Sequence, residues 1–198
     1  MDNPYWASYG QVHHIDLEDI KSLCFELSNI YYASKTISEE LTTSEQIEET
    51  MVKMDDFPLA KLHLEMAFRK SSEIILRLAL LVRTFDDQMK GSEFEKEYIK
   101  FTQDNDSSDY IGYLSTKNKF NIRQACNKII HAHEIRPLYE KSDLVISGSN
   151  GENIWYLTSE IELSGTERGK EWDAVLYLNH FLESVLGLIE FKPPTASN

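Results

Sequence analysis

Arginine, asparagine and histidine recur at four-residue steps in "NIRQACNKIIHAHEIRP", residues 121 to 137, as Arg123, Asn127 and His131. On a helix at about 100° per residue each step drifts about 40°, so the three side chains share one edge. A guanidinium can hold a phosphate through paired donors, and an imidazole that titrates near neutrality can move a proton to or from a ribose hydroxyl. These are parts for metal-independent RNA cleavage, in which a 2′-hydroxyl attacks the neighbouring phosphate. Arg123, Asn127 and His131 are therefore the candidate catalytic residues. A structural reading stands beside this one, because the same residue types on a helix edge also cap loops and satisfy buried carbonyls. Asn127 favours a partner in either reading: asparagine suits a helix interior poorly, so a tertiary hydrogen bond or a ligand is expected to compensate.

The elements that must position these residues are mostly helical in pattern. From Asp16, a plausible N-cap, Leu17, Ile20, Leu23, Cys24, Leu27, Ile30 and Tyr31 keep three- and four-residue spacing. The segment "TTSEQIEETMVKM" predicts a short helix. Pro58 then opens, and Gly91 closes, the longest periodic run, with Leu59, Leu62, Met66, Ile74, Leu78, Leu81, Val82 and Phe85 as its stripe. Such a helix can serve as the backbone of a bundle and offer a dimer seam. "SEFEKEYIKFTQ" predicts another short helix, and "DNDSSDYIGYLST" a loop.

The helix bearing the candidate site is expected to end at Pro137. Two β-prone runs, Leu144 to Ser147 and Ile154 to Leu163, flank the turn-forming "GSNGEN" and predict one β-hairpin. "KEWDAVLYLNHFLESVLGLIEF" returns to helical period. The expected architecture is mainly α: an antiparallel helical bundle with a long central helix and one small β-hairpin before the C-terminal helix. It forms a single domain over residues 1–198, with residues 1–15 as an aromatic N-terminal arm carrying Tyr5, Trp6 and Tyr9, and residues 192–198 as a tail.

Composition narrows the function classes. Thirty-three acidic against 20 basic residues give a formal charge of −13, which repels a polyanion over most of the surface and leaves RNA only a local basic cleft. No apolar run approaches the roughly 18 to 20 residues that span a bilayer. The start "MDNPYWASYGQVHHID" has neither the basic nor the apolar region of a secretion signal, so a cytoplasmic protein without membrane contact is expected. Cys24 and Cys126 sit in apolar helical patterns and read as buried hydrophobes. No zinc spacing, phosphate loop or dinucleotide fingerprint occurs, and the adjacent His13 and His14 name no metal partners, so neither cofactor nor metal is expected.

A long central helix followed by a late helix bearing arginine, a polar residue and histidine resembles the HEPN superfamily of small, mostly prokaryotic helical proteins. Many of these are RNases of toxin–antitoxin, abortive-infection and CRISPR-associated systems. The family pattern is arginine, four to six residues, then histidine, with active sites usually completed across a dimer. In this chain seven residues separate Arg123 from His131. The resemblance implies phosphate binding for Arg123, proton transfer for His131, and a homodimer or a heteromeric protein partner. The alternative is a non-enzymatic interaction module whose long helix and aromatic arm bury against another chain, with the acidic surface complementing a basic partner.

Overall fold

The computed structural model describes residues 14–42, 57–104, 111–115, 121–146 and 153–194. Residues 1–13 of the expected arm, the short helix around Thr43 and Ser44, and the turn "GSNGEN" up to Glu152 lie outside them. In order along the chain come α1 (Leu17–Thr42), α2 (Pro58–Lys90), α3 (Glu95–Asp104), β1 (Gly112–Leu114), α4 (Ile122–Ile130), β2 (Glu134–Val145), β3 (Asn153–Glu167), β4 (Lys170–Tyr177) and α5 (Leu178–Ile189).

The helix signals fall where the chain turns. Asp16 accepts from the Glu18 amide at 2.9 Å and starts α1. Pro58 stands in the first turn of α2, where its missing N–H costs no helical bond. α1 runs antiparallel to α2, with Asp19 near the start of the first meeting Arg77 well along the second at 3.1 Å. Ile20, Leu23 and Leu27 of α1 and Ile74, Ile75 and Leu78 of α2 join one core with Ile161 and Leu163 of the sheet, and with Phe181 and Val185 of α5. Tyr98 of α3 closes that core edge-on between Phe85 and Phe191.

The expected helical bundle with one small hairpin is overturned. The strands form a four-stranded antiparallel sheet in the order β1-β4-β3-β2, and the fold is α+β. Three local misreadings account for the difference. Pro137 does not terminate a helix; it sits in β2, an edge strand, beside a register shift between Pro137 and Tyr139, which is where a sheet tolerates a residue that cannot donate. Lys170–Tyr177 is a strand rather than the start of the last helix. There Trp172, Ala174 and Leu176 alternate inward at period two, whereas Trp172, Val175 and Leu176, at three- and one-residue steps, fall on one side of a helical wheel and continue the apolar spacing of the helix that follows. Gly112–Leu114, expected as loop, adds β1 to the β4 edge through Gly112–Leu176 and Leu114–Ala174 pairs.

The β3–β4 connection is a tight hairpin that pairs Glu167 with Lys170. Arg168 and Gly169 fill its two central positions at φ 51° and 75°, the left-handed backbone that matches strand twist in two-residue turns. This turn projects directly beside the C-terminal end of α4.

Candidate functional site

α4 is short and firmly bounded. Asn121 caps it by accepting from the Gln124 amide at 2.9 Å, and the Gln124 side chain accepts from the Asn121 amide at 3.1 Å, a reciprocal box that satisfies two otherwise orphaned donors. His131 is its C-cap residue. Two residues on, the His133 amide donates to the Ser164 carbonyl at 2.8 Å, so the chain passes straight from helix into strand pairing. Ala125, Cys126 and Ile129 are buried, which turns the opposite edge outward. Burial pushes the Cys126 thiol up to about 12, which leaves it an inert hydrophobe rather than a nucleophile.

The three candidate residues divide between two environments. Arg123 is committed to α2: one terminal nitrogen donates to Asp86 and the other to Asp87 at 2.6 Å. Asp86 is almost fully buried and also receives Tyr98 Oη at 3.1 Å and Lys90 Nζ at 2.9 Å. Burial alone would raise the Asp87 carboxyl, but the Arg123 bond and the charges of Arg123 and Arg83 outweigh it and hold the group below the usual carboxylate range. Burial also works against the Arg123 charge, and the Asp87 and Asp86 carboxylates more than compensate. Asn127 has the partner its position demanded: Arg83 Nη1 donates to its Oδ1, while Arg83 Nε holds Asp87 at 3.1 Å.

His131 faces elsewhere. With Asn127 it lines an open cavity of about 770 Å³ between α4 and the β3–β4 hairpin, whose walls also carry Arg83, Lys128, His133, Glu167, Arg168 and Trp172. Arg123 lines a different cavity, of about 380 Å³, with Asp86, Lys90 and Glu183. The helix drift explains the separation: two steps of about 40° put His131 about 80° from Arg123, enough to place them on either side of the Asn127 ridge. The structure thus joins Asn127 to His131 and parts both from the Arg123 guanidinium.

The hairpin supplies what the sequence reading missed. Lys128 Nζ donates to Glu167 at 2.8 Å and lies 4.2 Å from the centre of the Trp172 ring, a cation–π contact. The Glu167 carboxyl is held below its ordinary range first by the Lys128 bond and charge, then by the charges of Arg168 and His131. Gly165 sets how closely the two elements approach, since a Cβ there would fall 2.5 Å from the Trp172 ring and 2.9 Å from the His131 carbonyl oxygen. The dipeptide Arg168–Gly169 was the available signal, but it lacks the Asn-Gly or Asp-Gly composition that marks such turns most strongly.

Chemically, the cavity gathers three cations (Arg83, Lys128 and Arg168), two imidazoles and one carboxylate in a chain whose formal charge is −13. Lys128 is paired with Glu167 and Arg83 with Asp87, and a recess so lined can hold an anion locally against the field of the whole molecule. Among the described residues no group of three or more His, Cys, Asp and Glu side chains is arranged to hold a metal ion, and no helix is long and apolar enough to cross a membrane. No family model, curated protein or solved structure matches the chain.

Proposed function

We propose that the α4–hairpin cavity binds the phosphodiester backbone of single-stranded RNA and that the protein cleaves it without a metal, as a HEPN-like component of a prokaryotic defence or toxin–antitoxin system. The observation that carries this reading is the concentration of Lys128, Arg168 and Arg83 with His131 and His133 in one open recess of an acidic chain. Charge supplies the attraction: each cation that neutralises a phosphate releases condensed counterions, so binding falls steeply with salt.

In the reaction, one imidazole takes the proton of the 2′-hydroxyl as its oxygen attacks phosphorus. The bond from phosphorus to the 5′-oxygen breaks, and the other imidazole protonates that leaving oxygen, giving a 2′,3′-cyclic phosphate and a 5′-hydroxyl. Lys128 and Arg168 stabilise the charge that gathers on the phosphoryl oxygens. Arg123 is a positioning residue in this scheme. Together with Arg83, Asp86 and Asp87 it locks α4 to α2 and fixes the Asn127–His131 edge at the mouth of the cavity.

Fluorescence anisotropy of a labelled single-stranded RNA tests the binding half. Lys128→Ala and Arg168→Ala each weaken binding by about tenfold at low salt and flatten its salt dependence. Unchanged affinity in both variants removes RNA from this cavity.

A further inference from the structure

α2 carries an outward stripe that the core does not use. Leu59, Leu62, Met66, Leu76 and Leu80 are each between 38% and 57% exposed, although isolated apolar residues of this size are ordinarily scattered on a surface. With Arg69 and Glu73, both also exposed, they fall at alternating intervals of three and four residues from 59 to 80. That is the heptad spacing by which one helix seats against another, sustained over about 30 Å. The buried face of the same helix, through Ala67, Ile74, Ile75 and Leu78, already packs on the core.

The charges at the middle of the stripe choose the occupant. Turn a second copy of α2 antiparallel about a twofold axis at position 71. Leu62 then meets Leu80 of the second copy, Met66 meets Leu76, and Arg69 meets Glu73, each contact occurring twice. Every layer joins the two kinds of heptad position that face each other in antiparallel pairs, so the pattern is self-complementary, as an isologous interface requires. A parallel arrangement in register would set Arg69 against Arg69 and Glu73 against Glu73. Within one chain Glu73 is held by Lys70 at 3.0 Å, and Arg69 has no carboxylate partner among the described residues.

We infer that the outer face of α2 is an antiparallel homodimer seam, registered by reciprocal Arg69–Glu73 pairs. The seam stands independently of what the cavity binds, yet it has a consequence for it. Arg83 is the next heptad position beyond Leu80 and also lines the cavity. Each cavity therefore lies at one end of the seam, against the Leu59 end of the other copy. The two Arg83 positions stand about 36 Å apart along the axis at 1.5 Å per residue. The arrangement gives two separated sites rather than one shared between equivalent helices.

Sedimentation velocity on the full chain, from about 1 to 100 µM, tests this. The wild type is expected to sediment with twice the mass of one chain. Arg69→Glu and Glu73→Arg each place like charges opposite one another at two points and weaken association by about tenfold or more. The double reversal Arg69→Glu with Glu73→Arg restores the dimer. Both positions are exposed, so unchanged helical circular dichroism confirms that the variants fold. A wild type that stays at one chain mass throughout, single variants that associate as the wild type does, or a double reversal that fails to recover would each overturn the seam.

Discussion

Arg83 of α2 donates through Nη1 to Oδ1 of Asn127 on α4, while its Nε holds Asp87 at 3.1 Å. Asp87 in turn accepts from Arg123 at 2.6 Å. A single chain of guanidinium, carboxylate, guanidinium and amide thus runs from one cavity to the other and ties the candidate helix to the longest element of the fold. The asparagine that looked misplaced in a helix interior is the end of this chain.

Cutting the chain at Arg123 leaves Asp86 buried with Lys90 and Tyr98 as its remaining partners. Arg123→Ala is expected to lower unfolding stability by about 2 kcal/mol, below the cost of breaking a fully buried pair because Arg123 and Asp87 are partly solvated. Urea denaturation monitored by circular dichroism reads the change. A loss under about 0.5 kcal/mol, the range of an exposed pair, would show that α4 is held by its apolar face alone.

The same chain sets an acid limb. The Asp87 carboxyl is depressed in the folded state, so its stabilisation is present above the ordinary carboxylate pKa near 3.9 and disappears as pH falls through the lower folded value. The unfolded state binds the proton first, which makes stability fall with acid. Asp87→Asn is expected to flatten this part of the stability–pH curve, below the ordinary carboxylate pKa of about 3.9. Parallel curves for wild type and variant would assign the acid limb to other carboxylates.

At Gly165 the close approach of hairpin to helix leaves no room for a methyl group. Gly165→Ala must displace the Trp172 ring or the His131 carbonyl, against contacts of 2.5 and 2.9 Å. It is expected to cost about 1 to 3 kcal/mol and to weaken RNA binding along with stability. Tryptophan fluorescence alongside a melting curve monitors the displacement, and an unshifted melt would mean the wall yields freely.

Glu167 is the internal competitor for a bound phosphate, because its carboxylate already sits on Lys128 and within the field of Arg168 and His131. Glu167→Ala is expected to tighten RNA binding several-fold. Glu160→Ala, which removes one charge from the same strand outside the cavity, provides the comparison. Equal gains in the two variants would reduce the effect to net charge.

The helices were legible because their signals are local: Asp16 as cap, Pro58 in a first turn, and apolar spacing sustained over α1 and α2. The sheet was not, because its evidence is long-range. Pro137 reads as a helix terminator until β3 is seen beside it, and Trp172, Val175 and Leu176 lie on one side of a helical wheel while Trp172, Ala174 and Leu176 make the inward face of a strand. Arg123, Asn127 and His131 do share a helix edge, yet the drift along that edge sends Arg123 to one cavity and Asn127 with His131 to another. Lys128 was visible as a cation without its carboxylate and aromatic partners. Glu167, Arg168 and Trp172 could not be gathered into a site before the β3–β4 turn that brings them there.

The most direct test of the cavity as a catalytic site is incubation of wild type and His131→Ala with single-stranded RNA in excess chelator, with products resolved for 2′,3′-cyclic phosphate ends. Cleavage by the wild type, reduced about 100-fold or more in His131→Ala at unchanged stability, is the expected result. Equal cleavage by the two proteins, or none by the wild type, would contradict it.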